Sequence, residues 1–310
     1  MITHPHVKIN LGLSVLRKRP DGYHDLETLF VPYHGLSDTL EIVVGDDWSE
    51  TSASLFARYA TSEVAQAIAP DGSLMVTLAR RGGVDWDPLK DLTARAYALL
   101  AADHKLPPMK IFLEKTSPVG AGLGGGSSDA AFALRMIGEL AGLELPVEAL
   151  AGYAARLGSD CACFLYDRPM LGEGRGEILS PYDLDLSGYE LRVVVPDGIA
   201  VSTAEAYRGI MPREANDPAS ARLSSEGGIR VPSGNARLGD QAPCQEPMPL
   251  CEALDRPVAQ WRDCLVNDFE TTVFAAHPEL AALKQKLYDE GAVYDSMSGS
   301  GSALFGIFRA

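Results

Sequence analysis

The stretch "SPVGAGLGGGSSDAA", Ser117 to Ala131, sets five glycines in the seven residues from Gly120 to Gly126 and follows them with two serines and an alanine-rich run. Glycine loses more conformational freedom on ordering than any other residue, so this concentration implies that the backbone itself is being used. Gly120-Ala-Gly-Leu-Gly-Gly125 satisfies the G-x-G-x-x-G spacing of dinucleotide sites. That spacing carries weight only directly after a strand, with an acid closing a second parallel strand about 20 residues later. Here Lys115 to Pro118 intervene, and "GLELPVEAL" (142–150) reads as a connection between helices. A Walker A loop fails for want of a closing Gly-Lys-Ser/Thr. A flexible linker fits poorly, because the strand-like "MKIFLEK" (109–115) precedes and an amphipathic helix follows at once. What remains is a glycine loop feeding a helix N-terminus. Free N–H groups and the positive end of the helix dipole make an anion site there, and missing Cβ atoms let phosphate oxygens approach. The expected guest is a polyphosphate.

The bulk composition narrows the class. A chain of 310 residues with 46% hydrophobic and 22% charged residues suits a soluble globular protein of one large or two ordinary domains. A net charge of −15 argues against nucleic acid and against an anionic membrane, so any phosphate must be held at a local site. The start "MITHPHVKIN" lacks the features of a signal peptide, and no apolar run approaches the roughly 18–20 residues of a membrane span. Five scattered cysteines (Cys161, Cys163, Cys244, Cys251 and Cys264) read as reduced thiols in the cytoplasm. Cys161-Ala-Cys163 has no second Cys/His pair to complete a metal site and reads as buried structure, and none of the six histidines forms an HExxH pattern.

"HVKINLGLSVL" (6–16) alternates Val7, Ile9, Leu11, Leu13 and Val15 with mostly polar residues, the pattern of a half-buried strand. Pro20-Asp-Gly22 marks a turn, "LETLFVPY" (26–33) and "DTLEIVV" (38–44) read as strands, and 45–90 as strands and loops with an insertion. A helix is expected over 91–106, capped by Asp91. Another follows the glycines, with Ala131, Leu134, Ile137 and Ala141 on one face, Ser127 or Ser128 as N-cap and Gly142 as stop. "PVEALAGYAARLG" (146–158) is a further helix, and "SDCACFLY" (159–166) is expected to return to strand. Beyond it come a strand in "GYELRVVVP" (188–196), a capped helix in "STAEAYRGI" (202–210) and a long loop over 212–250. One or two helices in 257–292 and a strand, glycine turn and strand in 293–308 complete the chain. The order predicts an α+β protein in two lobes rather than a run of β-α-β units.

Pro118-x3-Gly122-Leu-Gly124-x-Gly126-Ser-Ser128 resembles the second motif of the GHMP kinases, the superfamily of galactokinase and of homoserine, mevalonate and phosphomevalonate kinases. Lys8-Ile-Asn10 matches the first motif and Ser298-Gly-Ser-Gly301-Ser302 the third, in order over nearly the whole chain. The text "KINLGLSVLRKRPDGYHDLETLF", "GAGLGGGSSDAA", "RLGSDCACFL", "GEGRGEIL" and "NDFE" is most similar to those members that phosphorylate an alcohol bearing a cytidine diphosphate moiety in isoprenoid synthesis.

The resemblance implies a ribosomal-protein-S5-domain-2-like ATP-binding domain over 1–180 and a ferredoxin-like domain over 181–310. It implies ATP bound by Pro118, Val119, Gly120, Ala121, Gly122, Leu123, Gly124, Gly125, Gly126, Ser127 and Ser128, with Mg2+ required and Ser128 one oxygen that could reach it. Asp160 takes the place of the catalytic carboxylate and Lys8 that of its partner. Asn10, Tyr23 and His24 fall at substrate-contacting positions, the last two in the cytosine pocket, and Tyr207 is a candidate second wall for the base. The substrate is a small molecule, with neither nucleic acid, membrane nor obligate protein partner. Cys161-Ala162 departs from the Val-Pro common after the catalytic aspartate, which bears on local loop geometry. Two other readings stay open: a GHMP kinase for homoserine, a sugar or mevalonate, which would lack a cytosine clamp, and a non-catalytic protein on this fold, against which Lys8 and Asp160 together count.

Overall fold

The computed structural model of the chain describes residues 1–213 and 248–310, so the loop expected over 212–250 lies almost wholly outside the described residues. In chain order come strands β1 (Ile2–Thr3), β2 (His6–Lys18), β3 (His24–Ser37) and β4 (Thr39–Val44), helix α1 (Ser52–Arg58), β5 (Val64–Ile68), β6 (Leu74–Arg80), α2 (Leu92–Asp103) and β7 (Met109–Lys115). The glycine loop then leads to α3 (Gly125–Leu140), α4 (Val147–Leu157), a 3-10 turn (Cys161–Leu165), β8 (Met170–Glu173) and β9 (Ile178–Pro181). After β10 (Tyr189–Val194) and α5 (Thr203–Ala206), the chain closes with α6 (Leu250–Leu254), α7 (Trp261–Cys264), α8 (Phe269–Ala276), α9 (Pro278–Asp289), β11 (Tyr294–Met297) and β12 (Leu304–Arg309). The α+β reading holds.

Contacts divide the chain into two compact units: 1–8, 32–119 and 124–167 form the first, and 9–31, 120–123 and 168–310 the second. In the first, a five-stranded sheet runs β1-β4-β7-β6-β5, antiparallel except where β6 pairs β7 in parallel across the α2 crossover. Helices α2, α3 and α4 pack on one another and α3 reaches β4. Ile42, Val76, Leu78, Ile111, Leu113, Leu134 and Ile137 are all 0% exposed. Each such side chain stabilises the fold by about 1.5–3 kcal/mol. Asp91 caps α2 as expected, its carboxylate accepting from the Thr93 N–H at 2.9 Å. Helix α1 is absent from the sequence expectation because its seven residues bury only Leu55, too weak a periodicity to register; that leucine joins Val43, Tyr59, Ala79 and Phe112 in a separate small cluster.

In the second unit, β10-β12-β11 form an antiparallel sheet with Val193 opposite Phe305 and Met297 opposite Leu304. Its core gathers Leu13, Val15, Val201, Ala206, Phe269, Val273, Leu280, Leu287, Met297 and Leu304. A four-stranded sheet runs β2-β3-β8-β9. Strands β8 and β9, four residues each, were too short to separate from loop by pattern.

Two expectations change here. "SDCACFLY" is not a strand: Cys161–Leu165 form a 3-10 turn with all five residues buried, packed on α3 and α4. A short, wholly apolar run buries equally well in either form, and contacts with two helices decide. Strand β2 is not half-buried: alongside its apolar set, His6, Lys8, Asn10 and Ser14 are only 3–5% exposed. A strand that buries its polar face must supply those groups with partners.

Candidate active site

Helix α3 opens one turn earlier than its serines suggested. Its N-cap is Gly124 in the left-handed conformation (φ 71°, ψ 19°), with no side-chain cap. Ser127 and Ser128 therefore lie inside the first turn, and the Ser128 N–H already bonds to the Gly124 carbonyl at 2.9 Å. The Ser128 hydroxyl is buried without a hydrogen-bond partner. At the far end Gly142 does stop the helix, at φ +67°.

The packing also revises why three of these residues are glycine. A Cβ on Gly124 would sit 3.0 Å from Lys8 Cε and Phe164 Cζ and 3.2 Å from Asp160 Oδ2. One on Gly125 would strike the Ser117 hydroxyl, and one on Gly122 the Ser298 carbonyl. Close approach of the protein's own segments requires glycine at these points, whereas a Cβ on Gly120 would meet nothing within 4 Å. Gly120 and Gly126 are exposed, and Val119 is half-exposed.

Within the first unit the Lys8 ammonium lies 3.8 Å from Asp160 Oδ2, with 6% and 29% of the two side chains exposed. Burial lowers the Lys8 pKa from its ordinary value, and the Asp160 charge opposes that shift. Asp160 itself is the N-cap position of the 3-10 turn, so the turn aims it from the end of α4 toward the start of α3. Behind it, burial pushes the Cys161 thiol up to about 12 and the Cys163 thiol well above the usual range. Neither is a nucleophile at neutral pH, which agrees with the structural role read for this pair.

A buried ionic cluster, not anticipated from sequence, anchors the base of the loop. The Lys115 ammonium, at the end of β7, pairs with Asp38 and with Asp129 of α3, the latter at 2.6 Å. Asp38 also accepts from the Thr116 and Ser117 N–H groups at 2.6 and 2.7 Å. Burial lowers the Lys115 pKa, but the two carboxylates outweigh it and the net shift is upward; burial raises Asp129 against the pull of Lys115. The cluster pins the strand before the loop to the helix after it. The signal lay in "SSDAA", where an aspartate sits among residues of a buried helix face.

In the second unit the three sequence motifs meet. The Asn10 N–H donates to the Ser298 hydroxyl at 3.2 Å, and that hydroxyl donates to the Gly122 carbonyl at 3.0 Å. The Asn10 amide donates to the Thr28 hydroxyl at 3.1 Å. Asn267, from "NDFE", holds the terminal glycine turn by donating to the Met297 and Gly299 carbonyls at 2.7 and 2.8 Å. Of the proposed base-binding residues, His24 and Tyr207 stack, with centroids 4.6 Å apart and planes at 15°. Tyr207 in turn meets Phe269 edge-on at 4.8 Å. Tyr23 is 56% exposed. Its ring lies under the guanidinium of Arg175, from "GEGRGEIL", at 4.9 Å. Burial, then the Lys18 charge, lowers the His24 pKa and favours the neutral imidazole with one donor and one acceptor.

Comparison with known proteins gives the family. Residues 91–168 match the model of the GHMP kinases N terminal domain and 252–310 that of the GHMP kinases C terminal domain. A 4-diphosphocytidyl-2-C-methyl-D-erythritol kinase of Bacteroides thetaiotaomicron is 40% identical over 100% of this chain and 92% of its own. One from Bacteroides fragilis (strain YCH46) is 39% identical over 99% of this chain and 92% of its own. A crystal structure of a 4-(cytidine 5'-diphospho)-2C-methyl-D-erythritol kinase superposes with a TM-score of 0.65 at 30% identity, covering 99% of this chain and 89% of that one. Identity at this level along the full length, on a chain that joins all three motifs, places it: it belongs to the 4-diphosphocytidyl-2-C-methyl-D-erythritol kinase family of the GHMP kinases.

Proposed function

We propose that this small-molecule kinase transfers the γ-phosphoryl group of ATP to the 2-hydroxyl of 4-diphosphocytidyl-2-C-methyl-D-erythritol, a step of isoprenoid biosynthesis. The observation that carries the reading is the contact between Gly124, Lys8 and Asp160: the left-handed start of α3 lies against a carboxylate and an ammonium. Phosphoryl transfer needs little covalent help from protein and depends on positioning and electrostatics. Asp160 accepts the proton of the attacking hydroxyl. Lys8, 3.8 Å from that carboxylate, stabilises charge on the transferring group. The first N–H groups of α3, which have no partner within the helix, and the exposed Gly126 hold phosphate oxygens.

Ser128 is the oxygen that fits a Mg2+ ion arriving with the nucleotide, since its hydroxyl is buried with no hydrogen bond of its own; held there, the ion would neutralise phosphate charge. His24 and Tyr207 supply a stacked, half-buried surface with a neutral imidazole for a cytosine edge, and the exposed Tyr23 supplies a further aromatic face.

The test is ADP release by pure protein with Mg-ATP and 4-diphosphocytidyl-methylerythritol, the product position being read by 31P NMR. Asp160→Asn should lower kcat by about 10²–10⁴ with the fold intact. Absence of substrate-dependent turnover in the unmodified protein overturns the function; a near-normal kcat in Asp160→Asn overturns only the assignment of the base.

A further inference from the structure

The phosphoryl-transfer chemistry leaves His6, His34 and Asp167 unused. His6 lies on β2 two residues before Lys8, His34 lies on β3, and Asp167 follows the 3-10 turn that Asp160 opens. All three belong to the first unit and converge there. His34 Nε2 is 3.2 Å and His6 Nε2 3.6 Å from the same Asp167 Oδ1, and the two imidazole centroids are 4.3 Å apart. One ligand atom from each residue lies within 4.8 Å of the other two. A four-coordinate ion with bonds of about 2.0–2.1 Å spaces its ligands about 3.3 Å apart. Both carboxylate edges are already close to that length.

Two features set this group apart from a chance surface cluster. His6 is only 3% exposed, and its Nε2 is buried without a hydrogen-bond partner. A buried polar atom left in that state costs about 1–3 kcal/mol. Its ring is fixed by edge contact with Phe132 at 5.6 Å and by Phe164 at 5.8 Å. His34 and Asp167, by contrast, are exposed, which provides an entry path and room for solvent.

We propose that His6, His34 and Asp167 bind a zinc-class divalent ion, with water completing the coordination. Two imidazoles and a carboxylate suit Zn2+, Co2+ or Ni2+, while Mg2+ prefers oxygen ligands and keeps its waters. The bound ion ties β2 and β3 to the segment after the 3-10 turn, and so clips the strand carrying Lys8 to the turn that begins at Asp160. Because the ion binds the folded chain, it stabilises that chain by mass action.

The test uses full-length apoprotein without nucleotide, titrated with Co2+ and Zn2+ by calorimetry and by the visible ligand-field spectrum of Co2+. One ion per chain with a four-coordinate spectrum is expected, and excess Mg2+ should not displace it. His34→Ala and Asp167→Asn, both at exposed positions, should each weaken binding at least about tenfold. Asparagine tolerates the left-handed backbone found at Asp167 (φ 45°). In the unmodified protein, Zn2+ should shift the ring nitrogens of two histidines in long-range 1H–15N spectra. No binding, a six-coordinate spectrum, or unchanged affinity in both variants overturns the proposal. Should either variant misfold, unshifted histidine signals in the unmodified protein overturn it by themselves.

Discussion

Replacing Gly124 by alanine tests whether the start of α3 and the Lys8–Asp160 pair work as one packed unit. The substitution has two costs that a control can separate. Alanine in the left-handed region costs about 1–2 kcal/mol. The same cost applies to Gly142→Ala at the other end of α3, where φ is +67° but nothing lies within 4 Å of the new Cβ. At Gly124 the new methyl lies 3.0 Å from Lys8 Cε and Phe164 Cζ and 3.2 Å from Asp160 Oδ2. Overpacking of this kind adds about 1–3 kcal/mol. At about 2–4 °C per kcal/mol for domains of 150–250 residues, Gly124→Ala should melt roughly 2–12 °C below Gly142→Ala. Moving the carboxylate or ammonium by about 1 Å costs on the order of 10² in rate, so kcat should fall by about that factor in Gly124→Ala alone. Thermal denaturation and steady-state kinetics on both variants provide the comparison. Equal losses of stability and of kcat at the two glycines would falsify the claim that packing against Lys8 and Asp160 dictates glycine at 124.

Two further outcomes can be measured. Tyr23→Ala should raise the KM for the cytidine-bearing substrate roughly 5- to 150-fold with kcat little changed, the worth of one aromatic–base stack at about 1–3 kcal/mol; an unchanged KM would favour a GHMP kinase without a cytosine clamp. Asp295 is 0% exposed, and burial, with the Glu270 charge against that of Lys284, raises its pKa from 3.8 to about 8. Between those values the native chain holds a proton that the unfolded chain has released, so stability is full below 3.8 and falls as pH rises through about 8. Urea midpoints across that window should decline in the unmodified protein and decline less in Asp295→Asn; identical slopes would count against a protonated Asp295 in the fold.

What sequence alone determined was local or written in backbone-specific residues. The glycine loop, the helix after it, its stop at Gly142 and the Asp91 cap follow from φ requirements and from side-chain oxygens placed next to N–H groups. Alternation identified β2, and three spaced motifs carried the family. The family resemblance already paired Lys8 with Asp160, but only the tertiary structure decided how the rest of the polar face of β2 is used: Asn10 joined to Ser298, and His6 beside Asp167. It also decided that Cys161–Leu165 turn rather than extend, that Gly124 and not a serine opens α3, and that Lys115 is shared by Asp38 and Asp129. The reason is physical. Periodicity and propensity act over a few residues, whereas a buried charge or an unpartnered imidazole is defined by segments tens to hundreds of residues away, whose approach is set by how the whole core packs.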